Sequence, residues 1–181
     1  MDEPVILIGP LNTGKTTVGK RVAEKLGLPF ASLDRYEREN RERFGYDRET
    51  ATAIREKEGL FAEYSYRRQF FADAVAHYLA NHPRGVLELG GGHPIAPDAE
   101  NQRKIDAALA PYRYVILIMP FVDVRESIQL LKTRQNPEYL NPDLNDILFQ
   151  DDRFFKLAKH VVYTNNTTPE EMRDEIIEIV N

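Results

Sequence analysis

The chain has 181 residues, which is enough for one domain with a sizeable core and short for two. Its 24 basic and 29 acidic residues give a formal net charge of -5, which argues against nucleic acid as the main partner because a phosphate backbone requires a basic surface. The absence of cysteine excludes disulfides, thiolate metal sites and thiol catalysis. The start of the chain is acidic and no apolar run approaches the roughly 20 residues of a membrane helix, so we expect a cytoplasmic monomer without a membrane partner.

Predicted strands and helices alternate in the first part of the chain. Val5–Ile8 is a short apolar run rich in branched residues, as in strands that are buried on both faces. Lys15–Leu26 has apolar residues at helical spacing and is followed by Gly27, which can end a helix. Phe30–Asp34 is predicted to be the second strand.

The middle of the chain is predicted to be largely helical. Residues 35–48 are densely charged, which favours a solvated helix, and residues 51–79 carry many aromatic side chains at helical spacing. We expect most of these aromatic residues in the core, with a pocket-lining role for Tyr64 and Tyr66 as the less favoured alternative. Gly85–Leu89 is predicted to be the third strand.

The alternation continues to the end of the sequence. Two further strands are predicted at Tyr114–Met119 and His160–Thr164, and helices are predicted at Ile105–Leu109, from Asp123 to about Arg134, and from Thr168 onward. Residues 135–152 are rich in Asn, Pro and Asp and lack periodicity, which predicts a long loop of the kind that is functional or mobile.

Strands that alternate with helices predict an α/β fold with a parallel sheet and helices on both faces. In such sheets a ligand binds beyond the carboxyl ends of the strands. The notable polar and glycine-rich segments follow the first three predicted strands, at Gly9–Thr16, Asp34 and Gly90–His93. We therefore expect these segments to form one binding site.

Gly9–Thr16 reads Gly-Pro-Leu-Asn-Thr-Gly-Lys-Thr and matches the P-loop pattern G-x-x-x-x-G-K-[S/T] at every fixed position. It follows an apolar strand and opens a helix, which favours phosphate binding over a chance glycine-rich turn. Lys15 is expected to reach the β- and γ-phosphates, and the Thr16 hydroxyl to bind Mg²⁺. No base-reading motif distinguishes ATP from GTP. The expected nucleotide-binding residues of the loop are Gly9, Asn12, Thr13, Gly14, Lys15, Thr16 and Thr17.

Residues after the second and third strands have both a functional and a structural interpretation. Asp34 can orient an acceptor hydroxyl and take its proton, or it can cap a turn; its position at a strand end favours the first role. Gly90, Gly91 and Gly92 can admit a ligand close to the backbone, or only turn the chain sharply, and three glycines favour the ligand. His93 can contact the acceptor or cap the next turn.

The charged residues near the expected site are ambiguous in the same way. Arg67 and Arg68 point about 100° apart on a helix, so we expect only one of them to face the pocket. Arg134 and Arg153 flank the predicted loop and can stabilise charge on a transferring group, although each is also typical of a surface. Glu88 lies inside an apolar strand, where a hydrogen bond within the core is favoured over a role near the metal.

Taken in order, the P-loop, Asp34, Gly90–Gly92 and the aperiodic segment at 135–152 resemble the shikimate kinases, within the wider group of nucleoside-monophosphate-kinase-like P-loop kinases. The similarity extends over nearly the whole chain. It implies a single P-loop kinase domain over residues 1–181, with the three-layer P-loop NTPase fold and a five-stranded parallel sheet in the order 2-3-1-4-5.

The resemblance also implies an activity, the transfer of the γ-phosphoryl group of MgATP to a hydroxyl group of shikimate or a related small polyol acid. ATP and Mg²⁺ are therefore the expected cofactors, and a small molecule is the expected partner. By the same resemblance, a helical segment at about 35–80 would bind the acceptor, and a lid loop at about 135–152 would close over ATP.

Individual roles carry over where the residues match. The resemblance makes Asp34 the ligand of the acceptor hydroxyl and its base, makes Arg67 a ligand of the acceptor carboxylate, and places Gly90–Gly92 against the acceptor. The sequence departs from the family at Ser32, where the family has an acid tied to the hydration shell of the metal. It departs again at Phe70, where the family has a glutamate that supports the arginine.

The expected catalytic residues are Lys15, Asp34 and Arg153. By the resemblance, Arg134 lies near the family's adenine-side arginine and Arg153 near its substrate-side arginine. One alternative is a kinase for another acceptor, such as a nucleoside, a nucleotide, a sugar or an antibiotic. A second alternative, motivated by the two departures from the family, is a nucleotide-binding switch without acceptor chemistry.

Overall fold

The computed structural model describes residues 3–134, 144–149 and 152–181, and in these residues the chain builds a parallel sheet of five strands. The strands are β1 (Val5–Ile8), β2 (Phe30–Ser32), β3 (Val86–Glu88), β4 (Val115–Met119) and β5 (His160–Tyr163). They pair in the order β2-β3-β1-β4-β5, and every pairing is parallel. This result confirms the predicted α/β fold of P-loop NTPases and its strand order.

Helices connect the strands and cover both faces of the sheet. In the described residues they are α1 (Lys15–Leu26), α2 (Leu33–Asn40), α3 (Arg48–Glu58), α4 (Leu60–Arg68), α5 (Phe71–Asn81), α6 (Ala99–Leu109), α7 (Val124–Thr133), α8 (Leu144–Leu148), α9 (Arg153–Leu157) and α10 (Pro169–Val180), with a 3-10 helix at Arg41–Phe44. None of the helices in this part of the chain is long and apolar enough to cross a bilayer.

The core lies on the two faces of the central strands. Ile6 and Ile8 of β1 belong to a buried cluster that includes residues of α5 and α6. Val5 and Leu7 alternate with them and belong to a second cluster, which includes residues of α1 and α10. Because successive strand residues point to opposite faces, a strand that is apolar at every position can fill both layers, as predicted for Val5–Ile8.

Side-chain caps fix where several helices begin. The Thr168 hydroxyl accepts a hydrogen bond from the Glu171 N–H at 3.2 Å, and the Glu171 carboxylate accepts one from the Thr168 N–H at 2.7 Å, so α10 starts with a complete capping box. The Asp123 carboxylate accepts from the N–H groups of Arg125 and Glu126 at the start of α7. Each such cap stabilises a helix by about 1 kcal/mol, and both starts are the predicted ones.

Three elements differ from the sequence-based expectation. Strand β2 ends at Ser32, so Asp34 lies in the first turn of α2 and not in a strand. Helix α6 begins six residues before the predicted start, because the Asp98 carboxylate accepts hydrogen bonds from the next turn. Within the predicted loop at 135–152, residues 144–148 form a short helix whose Leu148 is buried.

Candidate active site

Two glycines give the P-loop a shape that other residues cannot take without strain. Gly9 has a φ of 142°, and a β-carbon there would lie 2.5 Å from the Ile118 carbonyl oxygen. Gly14 has a φ of 87° and precedes α1, where no side chain of the described residues caps the helix. The N–H groups at the start of α1 therefore remain for another acceptor, and a helix N-terminus in this state favours an anion.

Lys15 is folded onto the loop that precedes it. Lys15 is only 5% exposed, and its Nζ donates to the Pro10 carbonyl at 2.7 Å and to the Thr13 hydroxyl at 3.4 Å. Burial lowers the pKa of Lys15 from 10.5 to about 8, against the opposing effect of the Glu88 and Asp34 carboxylates. A phosphate in this loop would supply the negative charge that a buried ammonium group lacks.

The hydroxyl group of Thr16 donates to Glu88 Oε1 at 2.6 Å. Glu88 is 4% exposed, whereas Thr16 is exposed at the mouth of the P-loop. The sequence favoured a partner for Glu88 inside the core, and the structure instead places that partner on the P-loop. In the described residues no group of three or more acidic or histidine side chains is placed to hold a metal ion. A magnesium ion here would therefore bind through Thr16, phosphate oxygens and water.

The turn after β3 packs against three other segments. A β-carbon on Gly90 would overlap the Asp34 carboxylate, and one on Gly92 would overlap the Tyr64 hydroxyl. A β-carbon on Gly91 would lie 2.8 Å from the backbone nitrogen of Leu11 in the P-loop. The absence of side chains at these three positions lets the turn pack closely against α2, the P-loop and α4, and only at Gly91 would a β-carbon meet backbone.

Asp34 and His93 face each other beside this turn. The Asp34 side chain is 53% exposed, His93 is buried, and Asp34 Oδ1 lies 3.6 Å from His93 Nδ1. The His93 ring packs on Phe71 with centroids 4.2 Å apart, and neither ring nitrogen has a hydrogen-bond partner among the described residues. Burial lowers the pKa of His93 from 6.5 to about 4, and the positive charges of Arg67 and Lys15 lower it as well. The Asp34 carboxylate has the opposite effect and raises it. The burial of His93 thus favours the neutral form of its ring.

Arg67 and Arg68 both lie over the Tyr64 ring, but their other contacts differ. The Arg67 guanidinium stacks over Phe71 and Tyr64, with its carbon 5.4 Å and 5.6 Å from the two ring centroids, and its Nε lacks a hydrogen-bond partner among the described residues. Arg68 donates to the Ile95 carbonyl oxygen at 3.0 Å. Arg67 is thus the arginine whose charge acts on His93, and Arg68 holds the backbone at Ile95, two residues after His93.

The two arginines predicted beside the lid occupy different settings. Arg153 Nη1 donates to the Ala96 carbonyl at 3.0 Å and to Gln102 Oε1 at 3.2 Å, so it holds the segment that follows His93. Arg134 is exposed at the carboxyl end of α7. Residues 135–143 and 150–151 of the predicted lid lie outside the described residues.

Two further side chains lie beside this turn and the P-loop, one that the sequence analysis gave only as a less favoured alternative and one that it did not name. Tyr64 was favoured as a core residue, yet its hydroxyl group packs against Gly92; its position one helical turn before Arg67 was a usable signal. Asn145 is buried and its Oδ1 accepts from the Leu11 N–H at 3.1 Å, which ties α8 to the P-loop. No local pattern marks Asn145, because it belongs to an aperiodic segment.

Known proteins that resemble this chain point to one family. A model of the shikimate kinase family matches residues 11–181. A shikimate kinase of Thermobifida fusca is 34% identical over 175 residues, covering 94% of this chain and 91% of the relative, and one of Acinetobacter baylyi is 28% identical over 176 residues, covering 97% and 91%. Among solved structures, shikimate kinase from Acinetobacter baumannii in complex with shikimate is 25% identical, with a TM-score of 0.64 and coverage of 98% of this chain and 92% of that one.

Proposed function

The chain belongs to the shikimate kinase family, and from this premise we propose that it transfers the γ-phosphoryl group of ATP to a hydroxyl group of shikimate. The family supports a phosphotransferase with a hydroxyl acceptor. The observation that carries the choice of acceptor is the arrangement of Asp34, His93 and Arg67 beside the P-loop. A carboxylate and a half-buried guanidinium that both lie near His93 suit a small molecule that carries both hydroxyl and carboxylate groups.

The P-loop fits MgATP by its own geometry. The N–H groups at the start of α1 and the Lys15 ammonium would hold the phosphates, with Gly9, Asn12, Thr13, Gly14 and Thr17 as the remaining loop residues. Thr16 is an exposed residue of the same loop, and its hydroxyl group would bind Mg²⁺, which neutralises phosphate charge when it is bound.

Asp34 is proposed to align the acceptor and to take its proton. The acceptor oxygen then forms a bond to the γ-phosphorus, the bond to the β,γ-bridging oxygen breaks, and ADP leaves with that electron pair. The neutral form of the His93 ring, next to Asp34, can donate a hydrogen bond to the phosphoryl-accepting molecule or accept one from it without adding charge. Gly90 packs against the Asp34 carboxylate, and the backbone of Gly90–Gly92 is proposed to line the acceptor site.

The arginines are proposed to bind the anionic groups. Arg67 would bind the acceptor carboxylate through the N–H groups of its guanidinium, which lies over the Phe71 and Tyr64 rings. Arg153 would shape the acceptor site through the backbone that it holds, and would act on the transferring group after the lid at about 135–152 closes. Arg134 would lie on the adenine side. Action as a cytoplasmic monomer, without nucleic acid as partner, stays a prediction.

ADP release from MgATP tests the proposal, measured with shikimate and with a panel of other alcohols, sugars and nucleosides. We expect shikimate to stimulate release strongly and Asp34→Asn to reduce turnover by about 100- to 10,000-fold while ADP binding persists. Stimulation by another compound alone would keep the kinase and change the acceptor. Slow ATP hydrolysis that no acceptor stimulates, unchanged in Asp34→Asn, would favour a nucleotide-binding switch.

A further inference from the structure

Glu88 stands at a position where a negative charge opposes nucleotide binding. Its carboxylate is buried, accepts a hydrogen bond from the Thr16 hydroxyl group with 2.6 Å between the two oxygens, and favours the charged form of Lys15. The phosphates of a nucleotide would enter the same space with several negative charges. At short range in a partly buried site, the repulsion between a carboxylate and a phosphate is large unless a cation lies between them.

The hydrogen bond to Glu88 also determines what Thr16 can bind. A hydroxyl group has one proton and two lone pairs, and the Thr16 proton is committed to Glu88. Its lone pairs therefore remain for a cation at the exposed mouth of the loop. A carboxylate that orients a hydroxyl ligand in this way also accepts hydrogen bonds from water molecules on a bound metal.

Position 88 occupies the carboxyl end of β3, and its ladder partner on β2 is Ser32. Ser32 carries no charge, and the nearby Asp34 carboxylate is turned to Gly90 and His93. Glu88 is thus the acid that directly contacts the metal-binding hydroxyl of the P-loop.

We propose that Glu88 is the acidic group of the magnesium site in this chain, where it orients Thr16 and accepts hydrogen bonds from the water molecules of the ion. Magnesium usually keeps several of its water molecules when it binds to a protein, and Glu88 lies beside Thr16, where it can accept hydrogen bonds from them. The inference rests on the proposed binding of MgATP but not on the identity of the acceptor. Glu88 acts through Thr16 and water, so it is a positioning residue.

The affinity for ADP, measured with and without Mg²⁺, tests this role. Calorimetry would measure the affinity for ADP in excess Mg²⁺ and in EDTA, for the unaltered protein and for Glu88→Gln. The amide oxygen of the glutamine can still accept a hydrogen bond from the Thr16 hydroxyl group, but the side chain carries no charge. We expect the gain in ADP affinity due to Mg²⁺ to fall by about tenfold to a hundredfold, while ADP without metal binds equally well or more tightly. The affinity of the protein–ADP complex for Mn²⁺, measured by electron paramagnetic resonance, should fall in parallel.

Glu37→Gln is the matched control. Glu37 is also 4% exposed, but it lies on α2 and its nearest ion-pair partner is Arg41 at 4.0 Å. We expect it to keep the full magnesium gain. A full gain in Glu88→Gln, an equal loss in Glu37→Gln, or no magnesium gain in the unaltered protein would overturn the inference. Absence of any ADP binding in the unaltered protein would instead contradict the proposed function.

Discussion

Gly90→Ala separates the chemistry of the site from the stability of the fold. Gly90 does not have a positive φ, so alanine fits its backbone, but the new β-carbon would overlap the Asp34 carboxylate. The obstacle is the end of a half-exposed side chain, which can swing into water. We therefore expect the free energy of unfolding to change by less than about 1 kcal/mol.

The same displacement should be costly for catalysis. To restore normal contact the Asp34 carboxylate must move by about 1 Å or more, and a misplacement of that size can cost about a hundredfold in rate. That factor corresponds to about 2.7 kcal/mol of transition-state stabilisation. We expect kcat/KM for the acceptor to fall accordingly, with the Kd for ADP unchanged, because the P-loop is not touched.

A double-mutant cycle provides the check. Gly90→Ala is measured in the natural chain and in Asp34→Asn, with ADP release as the assay and urea unfolding as the control for folding. If the glycine acts by leaving room for Asp34, the alanine lowers kcat/KM much less in the Asp34→Asn background. An equal hundredfold loss in both backgrounds, or a loss of stability of several kcal/mol, would refute the reasoning.

Gly9→Ala should differ from Gly90→Ala, because its β-carbon would lie 2.5 Å from the Ile118 backbone at a residue with a φ of 142°. We expect urea unfolding to show a stability loss of about 2 kcal/mol or more, and calorimetry to show a loss of ADP binding. The pKa of His93 is lowered to about 4 in the folded protein, whereas that of the unfolded chain stays near 6.5. Between these two pH values the unfolded chain takes up a proton and the folded protein does not, so the free energy of unfolding should fall by up to about 3 kcal/mol as the pH falls. His93→Asn should flatten this dependence, and an NMR titration showing the ring charged at pH 6 would contradict it. Arg67→Lys should raise the KM for a carboxylate-bearing acceptor about tenfold or more, with Arg68→Lys as the control that leaves it nearly unchanged.

Sequence reasoning succeeded where the signal is local. The P-loop pattern fixes its own backbone, and the apolar run Val5–Ile8 before it reads directly as a strand buried on both faces. Alternation of strands and helices then predicts the parallel sheet, and the resemblance supplies its strand order. The late start predicted for α6 was wrong although the cap at Asp98 is a local signal, because apolar spacing was given more weight.

The remaining features depend on residues that are distant in the sequence. The contact between Thr16 and Glu88 spans 72 positions and arises only after β3 pairs beside β1. The neutral state of His93 depends on burial by Phe71, which no spacing rule indicates. Helix α8 has five residues, too few to form on propensity alone, so it depends on tertiary contacts such as that of Asn145 with the P-loop.

Phosphorylation of shikimate by ATP can be read directly by mass spectrometry of the small molecules after incubation of the protein with MgATP and shikimate. We expect a monophosphate ester of shikimate in equal amount to the ADP formed, with little of either from Asp34→Asn. ADP formed without any phosphorylated shikimate would show that shikimate is not the acceptor.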